Sequence, residues 1–471
     1  MFFWPRPRLS EGAASHFEVI TMSNQKMSVL EKIGFGAGDM ALNVVISTMM
    51  LMITFFYTDI YGLKTSDLAM LFGVVKFAGA VADLTMGQIT DRITTRWGRY
   101  RPWLLLLAVP YGVSVFFVFS TPDWGYSAKL VWAYSTYIIM TLMTAGVGIP
   151  YISLPSVLSK DPQETLSANG YRLFFAKIGA LMVAVVVPLL SKRLGNGDPA
   201  AGYQLAMAVM AVVGVVLFLF CFFTTKERVQ HDIKRQSLLE QIKVLLKNDQ
   251  WLILCGVCVT GTIGYVLRGS VAIYYAKYYL HADEGTISAF LSTGVVAAIL
   301  SMIASTWITK FYCKIKLFRW TQIAVGVISA AIYFLVKPGD VVLAFALYFL
   351  LSFVVDLHAP VFWSAIAETI DYGVLKTGKR VSGFAFGGIS VCQKAGMGIA
   401  GIVVGKLLAY FAYVPNVEQT EFALHGIVLM MTLIPGFFHT VMGLLMFKYR
   451  LNDGYYAQVK EEMGAKGYVA V

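Results

Sequence analysis

Charge is what this chain has least of. Asp, Glu, Lys and Arg together make up 14% of its 471 residues, where a soluble globular protein carries about a quarter. With 58% apolar residues, that scarcity excludes an ordinary soluble domain. Histidine is rare too, six in all. There is no HExxH, no GxxxxGK[ST] phosphate loop and no serine–histidine pair with a supporting acid, so no enzyme or primary pump is expected. Alternating strands of about ten residues are also missing, which excludes a membrane β-barrel. The five cysteines are scattered. The one CxxC, Cys255 and Cys258, sits in the apolar "LILCGVCVTG" without a partner His or Cys and reads as buried thiols.

What is present is length without polarity. Stretches such as "VVISTMMLMITFF" and "LMVAVVVPLL" lie in apolar runs of roughly 20 residues, enough to cross a bilayer. Runs and breakers predict an all-α polytopic membrane protein with twelve spans near 35–58, 65–90, 101–120, 130–155, 170–192, 203–225, 250–280, 286–310, 318–336, 340–370, 383–412 and 424–448. The formal charge of +11 does not point to nucleic acid, because the basic residues fall in alternate short loops. "DRITTRWGRYRP", "KFYCKIKLFR" and "DYGVLKTGKR" are basic, while "YTDIYGLKTSD", "HADEG" and "VPNVEQTE" are balanced or acidic. That asymmetry predicts that both termini and the long central loop are cytoplasmic.

The expected organisation is a disordered extension over 1–30, a six-helix bundle over 31–225, a cytoplasmic central loop over 226–249, a second bundle over 250–448 and a tail over 449–471. The first 27 residues lack the apolar core of a signal peptide and carry no assigned function. "DRITTRWGRYRP" has a looser counterpart in "KFYCKIKLFRW". Two matching six-helix halves are the mark of transporters with parallel repeats and a site near mid-bilayer.

Ionisable residues inside such spans cost about 2.5–3.5 kcal/mol each on insertion scales, so each is a functional candidate. They are Asp39, Lys76, Asp83, Arg172, Lys177, Arg268, Asp356, His358, Glu368 and Lys394. Lys76 and Asp83 lie about two turns apart on one helix face. Arg172 and Glu368 sit near helix ends, where snorkelling is the alternative reading; Lys177 is open to the same reading. His358 precedes Pro360 and can equally serve a broken turn. Lys76, Asp83, Arg268 and Lys394 are flanked by apolar or small residues and must face protein or an aqueous cavity. Buried salt bridges closing one state are the competing account. "YYAKYY" supplies rings either for a sugar or for an interfacial belt. Arg96, Arg99 and Arg101 are expected to form a cytoplasmic gate, with Asp91 as a candidate partner.

At this point a resemblance enters. "EKIGFGAGD", "FFYTDIYG", "RWGRYRPW", "AETIDYG", "YVPNVEQT" and "YRLNDG", in that order, resemble the glycoside–pentoside–hexuronide:cation symporter family of the major facilitator superfamily. Set against the melibiose carrier, that family's best-known member, the resemblance puts Lys76 at a second-helix arginine and Asp83 at one of two sugar- and cation-binding acids. Gly79 replaces the other acid, Ala82 an asparagine, Ala145 a threonine of the cation site and Gly148 a sugar-binding aspartate. Asn43 stands at a first-helix acid. Arg172 and Lys394 match a substrate-site arginine and the eleventh-helix lysine, and Asp371 and Tyr372 match the "DYG" motif. The resemblance therefore implies a multi-pass secondary carrier of a bacterial inner membrane, working by alternating access.

Sodium wants several hard oxygens, and here Asp83 is left nearly alone, so proton coupling or no coupling is expected. Lys76, Arg172, Arg268, Lys394 and Asn43 are the expected substrate residues and Asp83 the expected proton carrier. Asp39, Arg96, Arg99, Arg101, Glu368, Asp371 and Tyr372 are the expected gating or structural residues. Four cations with two acids missing predict a small anionic substrate. The pattern is similar to exporters of 2,3-dihydroxypropane-1-sulfonate; a cation-coupled importer of a neutral sugar or glycoside is the alternative. No cofactor beyond a coupling proton, no metal and no nucleic acid is expected, and the chain is expected to be a monomer in a lipid bilayer.

Overall fold

In the computed structural model the described residues are 26–159, 162–228, 238–379 and 381–466. Among them, twelve helices are long and apolar enough to cross a membrane. The first six are Val29–Leu51, Thr65–Arg92, Arg101–Val118, Tyr126–Ser153, Pro162–Gly195 and Pro199–Thr224. The last six begin with Asp249–Tyr274, Glu284–Ile308 and Lys314–Leu335. The tenth is broken into Val341–Asp356 and Ala359–Thr377; the eleventh is Ser382–Tyr410; the twelfth is broken into Glu421–Met431 and Leu433–Leu445. The only β pairing among the described residues is a single bridge between Thr95 and Gly98. All five cysteines are free.

An even number of crossings puts both described ends on one side, here the terminal face, with residues 93–100, 225–228, 238–248, 309–313 and 446–466. The opposite face carries residues 61–64, 119–125, 196–198, 280–283, 336–340 and 411–420.

The breaks follow from proline, which lacks an N–H and frees the carbonyl one turn back. In a membrane such carbonyls must find another donor. Pro435 frees the Met431 carbonyl, which accepts from Arg268 Nε at 3.2 Å. Pro188 frees the Ala184 carbonyl, which accepts from Ser288 Oγ of the eighth helix at 3.1 Å.

The two halves repeat each other in small details. Ser28 caps the first helix by accepting from the Glu31 amide (3.2 Å), and Asn248 caps the seventh by accepting from the Trp251 amide (3.1 Å). Glu31 Oε1 accepts from the Lys226 amide at 3.1 Å, and Gln250 Oε1 accepts from the Arg450 amide at 2.7 Å. The first and seventh helices both end in a widened π-turn, Phe56–Ile60 and Tyr275–Tyr279. Each turn closes the same way, with Leu63 N to Tyr57 O (2.8 Å) and Ala282 N to Ala276 O (3.0 Å).

Candidate functional site

The two halves meet along the second and eleventh helices, and small residues set how closely. A methyl added at Gly405 would come 2.8 Å from Ala69, and one at Gly401 would come 3.0 Å from Phe72. One turn further on, the Lys76 stem lies against Gly398. Then Asp83 and Lys394 form an ion pair across the halves. Beyond it the helices part: methyls added at Gly87 or Gly387 would meet nothing within 4 Å. Lys76 lies within Coulombic range of Lys394 and has no acid partner of its own among the described residues. So Lys76 and Asp83 do share one face, and that face is turned toward the other half.

The positions where the resemblance marked missing polar groups are occupied by packing. A methyl at Gly79 would meet Thr141 of the fourth helix at 2.9 Å, Ala145 is buried, and Gly148 lies near Leu42. No group of three or more His, Cys, Asp or Glu among the described residues is arranged to hold a metal ion.

Three other expected residues converge on the first and fifth helices. Arg172 Nε lies 3.4 Å from Asp39 Oδ2, and Asn43 Nδ2 donates to the Asp39 carbonyl at 2.9 Å. Arg172 therefore does not snorkel; it is held by an acid. Glu368 is likewise buried, 4% exposed, where it pairs with Lys314 and accepts from Ser364 Oγ at 3.0 Å. Arg268 stands apart from these groups. Its guanidinium lies among the seventh, ninth and twelfth helices, donating to the Met431 carbonyl and to Ser329 Oγ at 3.1 Å.

On the opposite face the structure reveals a cluster that sequence reasoning missed. The Asp59 carboxylate, 7% exposed as a residue, accepts from Thr58 Oγ1 (2.7 Å), Tyr413 Oη (2.7 Å) and Tyr278 Oη, with Lys277 Nζ at 3.4 Å. Thr58 Oγ1 also shares a hydrogen with Tyr274 Oη at 2.7 Å. Except for Thr58, every donor comes from the second half. Burial, then the neighbouring Tyr274 and Asp59, hold the Tyr413 phenol well above its usual pKa, so it stays a donor. "YYAKYY" is thus neither sugar platform nor aromatic belt at Tyr274 and Tyr278, whose hydroxyls lock the halves. The signal was present: an Asp after "FFYT" in an otherwise apolar run, and a tyrosine run at the matching place in the second half.

At the terminal face the backbone of the arginine loop is held by Glu227. Glu227 accepts from the amides of Arg99, Tyr100 and Arg101 at 2.8, 2.8 and 2.9 Å. Arg101 Nη2 donates to the Phe222 carbonyl at 2.7 Å, and Arg96 lies over Trp97, 4.4 Å from the ring centre. The side chain of Asp91 lies outside the described ones. Tyr372 Oη donates to Asp249 at 3.2 Å, and Asp371 accepts from Tyr456 Oη at 2.8 Å.

Two bundles related by a repeat, joined at one face, parted at the other and holding paired charges between them, define a membrane transporter rather than an enzyme. The chain belongs to the MFS/sugar transport protein family, whose model matches residues 34–453. It is 34% identical over 433 residues to the putative glycoside/cation symporter YagG of Escherichia coli K12, covering 91% of this chain and 93% of that one. It is 32% identical over 429 residues to the inner membrane symporter YicJ of the same organism, again covering 91% and 93%. A crystal structure of a D-xylose–proton symporter superposes with a TM-score of 0.63 over 89% of this chain and 96% of that one, at 13% identity. The major facilitator fold and the glycoside–pentoside–hexuronide:cation symporter membership expected from the motifs are thereby borne out. The protein is a multi-pass secondary transporter of the bacterial inner membrane.

Proposed function

We propose that this chain is a proton-coupled symporter of a glycoside or short saccharide, with the terminal face cytoplasmic and the molecule open toward it. The observation that carries the reading is the Asp83–Lys394 ion pair, a titratable acid held by a cation of the other half where the second and eleventh helices meet. One carboxylate suffices for a proton, whereas sodium requires several hard oxygens, and Gly79, Ala82 and Ala145 offer no side-chain oxygen. Protonating Asp83 releases Lys394, which couples proton binding to the joint about which the halves rock. The basic loops of the terminal face favour the cytoplasm for it.

A neutral saccharide fits better than the anion expected from four cations. Arg172 and Lys394 already carry carboxylates, and Arg268 is committed to Met431 and Ser329. The relative named as a glycoside/cation symporter supports the same substrate class. One observation favours the second reading, a sulfonate such as 2,3-dihydroxypropane-1-sulfonate or a sugar acid: Lys76 has no acid partner among the described residues.

The test is transport in proteoliposomes. An inwardly directed proton gradient should drive accumulation of a 4-nitrophenyl glycoside, a protonophore should abolish it, and a sodium gradient should not replace it. Accumulation of 2,3-dihydroxypropane-1-sulfonate without any glycoside exchange would overturn the reading in favour of the anion.

A further inference from the structure

The ninth helix is the third of its half, and the loop leading into it, "KFYCKIKLFRW", is the counterpart of "DRITTRWGRYRP" before the third helix. The third helix starts on an acid, since the Glu227 carboxylate accepts from the amides of Arg99, Tyr100 and Arg101. The ninth helix has no such acid. Cys313 precedes it without a capping side-chain bond, and the amides of Lys314, Ile315 and Lys316 meet no acceptor among the described residues. Such orphan donors at a helix start are met by side chains, by water or by a ligand.

Where the acid is missing there is a cavity of about 340 Å³, within the size range of small-molecule sites. The ninth helix lines one side from Cys313 to Arg319, and Tyr449 with residues 452–454 lines the other. A second helix start therefore opens on it. The C-terminal helix Asp453–Ala465 is capped by Asn452, which accepts from the Tyr455 amide at 3.0 Å, but the Gly454 amide meets no acceptor among the described residues. Two cations join these amides. Lys316 is exposed and in no ion pair among the described residues. Arg319 donates through Nη2 to the Met446 carbonyl, while its buried Nε has no acceptor. The acid of the lining, Asp453, lies 3.2 Å from Lys314 Nζ and accepts from none of these amides. Next to Arg319 and Lys448 in the chain, Trp320 and Phe447 are exposed with ring centres 6.0 Å apart, an aromatic pair of the kind found at the level of lipid headgroups.

We propose that this cavity is a phosphate site, and that the phosphate takes in the second half the place that the Glu227 carboxylate takes in the first. Free amides and the helix dipole favour an oxyanion at a helix start, and Lys316 adds a charge-assisted contact. Glu227, with two oxygens in one plane, serves a single start. The tetrahedral oxygens of a phosphate reach both starts and Lys316, so the bound group ties the ninth helix to the C-terminal helix. A phospholipid headgroup and a soluble phosphate offer the same chemistry, and binding separates them.

The purified full chain in detergent is titrated with inorganic phosphate, dioctanoylphosphatidylglycerol and dioctanoylglycerol, and bound copies are counted by native mass spectrometry. At least one phosphate-bearing probe should bind one to one: the phospholipid if the leaflet is the source, inorganic phosphate if the solution is. Lys316→Gln should weaken that binding about tenfold, the loss of one charge-assisted contact, and its exposure makes the substitution harmless to folding. Asp453→Asn removes the acid of the lining and should strengthen binding. A merely structural role would not move the two variants in opposite directions. No binding of either phosphate-bearing probe, dioctanoylglycerol bound as tightly as the phospholipid, an affinity unchanged by Lys316→Gln, or variants that shift together would each overturn the site.

Discussion

Arg101 and Arg319 make the same contact in the two halves of the molecule. Each guanidinium donates to a carbonyl at the end of the last helix of its own half, Phe222 at 2.7 Å and Met446 at 3.1 Å. Each also lies over a phenylalanine, Phe222 at 4.9 Å and Phe447 at 4.0 Å. A cation at a helix C-terminus meets the negative end of the helix dipole. Both arginines therefore anchor the third helix of a half to its sixth and keep each bundle rigid while the bundles move against each other.

Asp83→Asn is expected to abolish accumulation driven by a pH gradient while leaving equilibrium exchange of the same solute measurable. Counterflow and gradient-driven uptake in one batch of proteoliposomes separate the two. Wild-type accumulation in the variant would remove Asp83 as the proton carrier.

Asp59→Ala should loosen the opposite face, because three hydroxyls and an ammonium lose their common acceptor. Hydrogen bonds to a charged group contribute about 1.5–3 kcal/mol each, so a shift of tenfold or more toward the state open at that face is expected. Spin labels at positions 63 and 282 should show a longer distance population in the variant. An unchanged distribution would mean that the tyrosines close the face without the carboxylate.

Arg268→Met should lower thermal stability by about 1–3 kcal/mol, since the Met431 carbonyl and Ser329 lose their donor. Pro435→Ala restores the missing amide, so the Arg268→Met, Pro435→Ala double variant should regain much of that loss. A double variant that is stable yet has lost substrate binding would instead return Arg268 to the substrate.

Glu227→Ala removes the acceptor for three amides at the start of the third helix, whose own sequence supplies no capping side chain. The expected cost is that of a lost helix cap, about 0.5–2 kcal/mol, read as a lower unfolding temperature. Glu227→Gln, which keeps one acceptor oxygen, should fall between.

The spans were legible because lipid imposes length and apolarity on every helix; all twelve stand where expected, though the first begins six residues earlier, the fifth eight residues earlier and the tenth ends seven residues later. The corners in the tenth and twelfth helices were not, although Pro360 and Pro435 marked them, since a proline kinks one membrane helix and breaks another according to which donor stands nearby. The donors at the corners are remote in sequence: Gln322 and Ser305 take the Val355 and Leu357 carbonyls at one, and Arg268 takes the Met431 carbonyl at the other. Lys76 and Asp83 could be placed on one face from their spacing. That Lys394 would meet Asp83 required the glycine ladder of the eleventh helix, whose spacing matters only once its partner helix is known. Glu227 and Asp59 escaped because each looked like an ordinary loop acid.

The carboxylate at Asp59 is dry while the opposite face is closed and would be wet when it opens. Opening is then an exchange of protein donors for water, which recovers part, though not all, of what the protein donors contribute. The transition consumes water, and its equilibrium should answer to water activity: an excluded osmolyte holds the face shut, and dilution favours the open state.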